Sequence, residues 1–260
     1  APDEPAPDEP APDEPAPDEP APQAPAPEAA PPAPAAAIWP PQPEIDPERG
    51  WSLYRQRCAL CHGVRGDGRG PAARFMRPPP RDLTEGMYRF RSVPVGVPAT
   101  EVDLYRTISR GLIGTAMPGF GGLPSDDLWQ LVYYVRSLSP RYDGVVDPPP
   151  LEIGDPPPAT PARVARGAEV YARFGCASCH GPQGRGDGPA AGGLVDTNKR
   201  PLAVADLTRR ARIKGGASPV ELYRTLSTGL EGTPMPSYGQ LLPETDRWAL
   251  VHYVRSLSDH

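Results

Sequence analysis

Cysteine is scarce in this 260-residue chain, with only four, and histidine is equally scarce. The cysteines fall as two close pairs, Cys58 with Cys61 and Cys176 with Cys179, an arrangement that must be explained before any disulfide is proposed. Long apolar runs are missing. None approaches the roughly 20 residues that cross a bilayer, so no transmembrane helix is expected and the chain as given reads as soluble. It has neither an initiator Met nor a basic-then-apolar opening, so a secretory signal, if one existed, is expected to have been removed. Basic residues are absent from residues 1–48, which hold twelve of the 32 acidic side chains. The rest carries all 27 Lys and Arg against 20 Asp and Glu, so the net charge of -5 hides a basic body behind an acidic tail. Solvation alone explains such a tail. The sharper alternative is that the basic body docks an acidic partner and the tail competes for that surface.

Proline is what the chain has in abundance, 41 residues, and its distribution marks the domains. Eighteen prolines lie in 1–48 and seven in 143–162. Proline is excluded from helix interiors and poor in strands, so these stretches read as tail and linker. Residues 1–20 are APDEP four times over. Such sequence favours solvated polyproline II and has almost nothing to bury beyond Ile38, Trp39 and Ile45. Residues 1–48 are therefore expected to be a disordered spacer.

The remainder is a duplication, with domains expected at 49–142 and 163–260 and a linker at 143–162. DLYRTISRGLIGTAMPGF (103–120) matches ELYRTLSTGLEGTPMPSY (221–238), and WQLVYYVRSLS (129–139) matches WALVHYVRSLS (248–258). Cys58 to Cys176 and Met117 to Met235 are both offsets of 118. Three helices per copy are expected. One leads into each cysteine pair. One starts at Thr100 with Asp103, or at Ser218 with Glu221, in capping-box spacing, with Pro219 suited to a first helical position. The last carries one apolar stripe, Leu128, Leu131, Val132, Val135 and Leu138, or Trp248, Val251, Val254 and Leu257. Gly and Pro between them argue for loops, so the fold class is all-α.

Both cysteine pairs sit in C-x-x-C-H, as Cys58-Ala-Leu-Cys61-His62 and Cys176-Ala-Ser-Cys179-His180. Two thiols three positions apart can reach both vinyl groups of one porphyrin, and the next histidine can then bind its iron. A zinc site needs further ligands per metal, and a shared Cys₄ site leaves both histidines and the duplication unexplained. A thioredoxin-like pair needs an α/β setting. Two covalently bound haem c groups, with iron, are therefore expected. Met117 and Met235, each followed by proline, are candidate sixth ligands, because a soft thioether favours ferrous iron. Met76 and Met87 have no counterpart in the second copy and read as core fillers. His252 replaces Tyr133 on the last helix and reads as a core or partner-face residue, and the terminal His260 as free. The segments GVRGDGRGPAA and GPQGRGDGPAA lack the context of phosphate loops and read as tight turns beside the haem, with Asp67 and Asp187 capping them. Arg65, Arg69, Arg81, Arg185 and Arg200 are open candidates for pairing with propionates.

With these motifs, residues 49–260 resemble the class I cytochrome c family twice over. The paired arrangement is similar to dihaem carriers of the c4 type and to dihaem subunits of respiratory oxidases. The resemblance implies proximal ligands His62 and His180, distal ligands Met117 and Met235, and electron transfer at an exposed haem edge. It implies an extracytoplasmic, periplasmic setting. Redox donor and acceptor proteins follow as partners, a membrane respiratory complex among them, and no nucleic acid. A dihaem peroxidase, which needs a displaceable ligand, is the enzyme alternative, and both Met-Pro loops speak against it. The acidic tail departs from the family pattern.

Overall fold

The computed structural model describes residues 39–258, and they are helical, with a single isolated β-bridge between Val195 and Pro201. The first copy holds α1 (Pro47–Arg57), the one-turn α2 (Ala59–His62), α3 (Glu101–Arg110) and α4 (Ser125–Ser137). The second repeats them as α5 (Pro161–Arg173), α6 (Cys176–His180), α7 (Pro219–Thr228) and α8 (Glu244–Ser256). Both expected capping boxes form, Thr100 with Asp103 on α3 and Ser218 with Glu221 on α7. Each pairs two otherwise orphaned backbone donors.

In each copy the first helix packs across the last at a glycine. A Cβ on Gly50 would lie 2.8 Å from the Gln130 carbonyl oxygen, and one on Gly167 would lie 2.1 Å from that of Ala249. The missing side chain is thus what lets the helix backbones meet. Aromatic residues fill the space behind each crossing. Tyr105 meets Trp129 at 4.6 Å between ring centroids, and Tyr223 stacks on Trp248 at 4.2 Å. Each copy has its own core, one around Tyr54, Leu104, Trp129 and Leu131, the other around Val170, Tyr171, Trp248 and Val251.

The expected boundary of the tail at residue 48 moves. Residues 1–38 lie outside the described residues, but Trp39 onward belongs to the folded copy. Trp39 packs edge-on against Tyr105 at 5.6 Å, and the Trp129 indole N–H donates to the Pro40 carbonyl at 3.2 Å. Gln130 clamps the strap from both sides, donating to the Glu44 carbonyl at 2.7 Å and accepting from the Asp46 N–H at 2.8 Å. Asp46 then caps α1 through the Arg49 N–H. Composition concealed this, because a strap rich in proline needs only one buried anchor and a few carbonyls facing α4.

The linker is docked in the same manner. Asp147 accepts from Arg136 at 2.8 Å and from the Glu101 N–H at 2.6 Å. The Leu151 N–H donates to the Ser92 carbonyl at 2.7 Å, while Leu151 and Ile153 pack on the second core. Its last residues already form α5, with Thr160 as cap and Pro161 at the first position. A buried ion pair joins the copies. The fully buried Arg91 side chain meets Glu231, which Arg141 also approaches at 3.1 Å.

Candidate functional site

Each C-x-x-C-H motif is a single turn of helix set at the end of the first helix. The Cys58 carbonyl accepts from the N–H groups of Cys61 and His62 at 3.1 and 2.9 Å, closing α2. In the second copy Gly175 takes a left-handed conformation, φ 69°, which ends the longer helix before α6 starts at Cys176. A side chain there would be strained.

Both histidines are oriented by a backbone carbonyl. His62 Nδ1 lies 2.9 Å from the Arg81 oxygen, and His180 Nδ1 lies 3.2 Å from that of Ala205. A carbonyl can only accept, so Nδ1 carries the proton and the Nε2 lone pair is left for a metal. Burial lowers the pKa of both rings and favours this neutral state. Burial, reinforced by the neighbouring Cys61, pushes the Cys58 thiol up to about 12, and burial also raises Cys176.

The glycine-rich segments wrap these turns. The N–H groups of Gly68, Gly70 and Ala72 donate to the carbonyls of His62, Cys61 and Leu60 at 2.8, 3.1 and 3.0 Å. Gly186, Gly188 and Ala190 do the same for His180, Cys179 and Ser178. The segments therefore satisfy the carbonyls that a one-turn helix leaves open. Asp67 turns the first segment by accepting from the Arg69 N–H at 3.1 Å.

The methionine loops are built alike. Leu112 N–H donates to the Met117 carbonyl, the Thr115 hydroxyl donates to the Leu112 carbonyl, and Met117 N–H donates to that hydroxyl. Leu230, Thr233 and Met235 repeat all three bonds. Met117 and Cys58 both pack against the first core, and Met235 and Cys176 against the second. Among the described residues, no three His, Cys, Asp or Glu side chains converge on a metal-sized site, so a shared Cys₄ centre does not form. The donors that are present, two thiols, an oriented neutral imidazole and a thioether, fit a covalently attached haem in each copy.

Sequence reasoning missed two supports. Tyr54 and Tyr171, both fully covered, donate to the Gly63 and Gly181 carbonyls at 2.8 and 2.7 Å, pinning the residue after each histidine. Their equivalent positions in the two copies were the available signal. The two histidine-orienting carbonyls carried no signal, since any residue supplies one. Of the candidate arginines, Arg65, Arg69 and Arg185 are exposed, and Arg65 pairs with Asp67 at 3.2 Å. Arg81 and Arg200 are more covered, and burial lowers the Arg81 pKa. Arg89, not anticipated, pairs with Asp196 across the two copies at 3.3 Å. Met76 and Met87 are half-buried and border neither core. His252 is buried on α8 against the Pro157 backbone, while His260 lies outside the described residues.

Comparison with known proteins agrees with this duplication. The family described as Cytochrome c matches residues 164–258, and the one described as Cytochrome C oxidase, cbb3-type, subunit III matches 46–135. The cbb3-type cytochrome c oxidase subunit CcoP of an Azospirillum species is 27% identical over 221 residues, covering 80% of this chain and 61% of its own length. Subunit FixP of Azorhizobium caulinodans is 28% identical over 216 residues, covering 80% and 58%. The chain thus spans about three fifths of the length of these curated relatives. A solved chain of the Kuenenia stuttgartiensis reducing HAO-like protein complex aligns with a TM-score of 0.79 and 38% identity, over 83% of this chain and 98% of that one.

Fold and comparisons together define a c-type cytochrome with two haem domains. The chain belongs to the cytochrome c family and carries two covalently bound haem c groups.

Proposed function

We propose that the chain is a dihaem electron-transfer module in which Cys58 and Cys61 tether one haem and Cys176 and Cys179 the other. His62 and His180 are the proximal ligands, and Met117 and Met235 the distal ones. The observation that carries this reading is the duplicated geometry: two histidines with Nδ1 fixed on a carbonyl, and two methionine loops with the same three hydrogen bonds. When bound, haem c supplies a one-electron iron couple. The protein fixes the imidazole tautomer through the Arg81 and Ala205 carbonyls, and Met117 and Met235 would supply a soft sulfur ligand.

Met117 and Met235 would each hold the iron of their haem through sulfur, which would suit passing electrons and leave no position open to substrate. Covalent haem attachment puts its maturation outside the cytoplasm, and we place it in a periplasmic or equivalent compartment. The oxidase subunits among its relatives, and the redox complex holding the solved relative, support work inside a larger oxidoreductase assembly. That assembly supplies a donor and an acceptor.

Near-infrared magnetic circular dichroism of the oxidised holoprotein tests the ligation. Two methionine-to-iron charge-transfer signals are expected, with Met117→Ala and Met235→Ala each removing one. A high-spin haem that reacts with peroxide in the unaltered chain would overturn the reading in favour of a peroxidase.

A further inference from the structure

The two copies share a scaffold, yet their faces around the haem-attachment turn differ. In the first copy Leu60, Val64 and Phe75 are 62, 68 and 75% exposed. Backbone bonds tie the Phe75 segment to Leu60, since Ala72 N–H donates to the Leu60 carbonyl and Phe75 N–H to that of Ala72. Exposed apolar side chains grouped in this way mark interaction sites. Between residues 55 and 77 lie six arginines, all exposed, and one acid, Asp67, already paired with Arg65.

At an offset of 118 the second copy has lost this character. Ser178 stands for Leu60, Gly193 for Phe75, Gly192 for Arg74, Gln183 for Arg65 and Gly175 for Arg57. Residues 173–195 hold two arginines and one acid. The scaffold therefore does not require the apolar or the basic side chains, because the same turns form without them.

We infer that the Leu60–Phe75 face of the first copy is the docking surface for an acidic redox protein, one whose acidic rim surrounds an apolar centre. The inference rests on the electron-transfer reading above and adds which copy meets that partner. Charge complementarity steers the encounter, and the two large apolar side chains supply the dry centre of the contact. A membrane of anionic lipid would also attract arginine with Leu and Phe. The position favours a protein, because the face surrounds the turn that tethers the haem, where a partner must come close for electrons to pass.

The test uses the full dihaem chain and plastocyanin, an acidic copper protein, as probe. The reduced chain is mixed with oxidised plastocyanin in a stopped-flow instrument at several ionic strengths. The rate constant is expected to fall steeply with salt. Leu60→Ser with Phe75→Gly, which install the second copy's own residues, is expected to slow it about tenfold, and Arg74→Gly with Arg65→Gln to flatten the salt dependence. Gln183→Ala, on the matching face of the second copy and outside its C-x-x-C-H motif, is expected to leave it unchanged. Binding is read separately, from shifts of the Leu60 and Phe75 amide resonances on titration with copper(I) plastocyanin. Rates independent of salt, unaltered rates in the first-copy variants, or equal losses from the second-copy variant would overturn the inference. So would Leu60- and Phe75-dependent sedimentation with phosphatidylglycerol vesicles while the plastocyanin rates stay fixed. Hexacyanoferrate separates the two readings. If the chain cannot reduce it, the electron-transfer reading fails. If it reduces it normally and only the docking predictions fail, the surface assignment alone is wrong.

Discussion

Replacing Glu231 by Gln removes the negative partner of a guanidinium that has no solvent to return to. The Arg91 side chain is 0% exposed and that of Glu231 is 9% exposed. Burial lowers the Arg91 pKa to about 10, a sign of how unfavourable its charge is in that position. Arg91 Nη2 also donates to the Thr228 carbonyl at 3.3 Å, and the Thr228 hydroxyl returns a bond to the Arg91 carbonyl at the same distance. These neutral bonds hold the arginine in place after Glu231 has lost its charge. Orphaning one member of a buried pair costs about 3–5 kcal/mol. For a folded unit of 150–250 residues each kcal/mol moves the melting temperature by about 2–4 °C, so Glu231→Gln is expected to lower it by roughly 6–12 °C at the low end of that cost. Adding Arg91→Met removes the stranded charge and is expected to recover more than half of the loss, since an apolar replacement of a buried pair is often neutral. Scanning calorimetry of the holoprotein measures both, and the Soret band reports whether each haem pocket survives. A melting temperature within a degree of the unaltered chain, or a double variant no better than Glu231→Gln alone, would refute the reasoning.

Gly70→Ala places a methyl 2.4 Å from the Leu60 carbonyl oxygen and 2.6 Å from that of Ala59, so the segment that caps α2 must lift away. The pyridine haemochrome assay is expected to fall from two haems per chain to one, and two haems in the variant would count against a capping role for the segment. His252 gives the pH dependence. Burial lowers its folded-state pKa below 6.5, so as pH falls the unfolded chain takes up the proton first. Its contribution is complete above about pH 6.5 and is lost as pH drops through that value. His252→Tyr, the residue of the first copy, is expected to remove this loss in melts compared between pH 7 and pH 5, and an unchanged pH slope would count against it.

The duplicated helical framework was legible because its signals are local or repeated. Capping boxes are read within four residues, C-x-x-C-H within five, and the duplication tied each Met-Pro pair to its motif at a constant distance. The strap at Trp39–Asp46 was not legible, because its stability resides in carbonyls meeting Trp129 and Gln130, some 85–90 positions away. Proline content reported only that the segment could not be helical. The interface was hidden for the same reason. Arg91, Arg89 and Glu231 look like ordinary surface charges until the fold sets the second copy against the first.

The two copies together separate what each attachment turn requires from what their pairing requires. Tyr54 and Tyr171, Thr115 and Thr233, and the glycines behind each attachment turn match because each holds the pocket together. The differences fall elsewhere, and they sort by what covers them. Position 231 is the acid buried against Arg91, and its equivalent in the first copy is Ile113, which is 49% exposed. Charge was placed on the loop that meets the other copy, and an apolar side chain on the loop that remains open. At the attachment turns the apolar and basic side chains again lie on the first copy, at Leu60 and Phe75, with Ser178 and Gly193 opposite them in sequence. Both divergences agree with the first copy being the one that meets the partner inferred above.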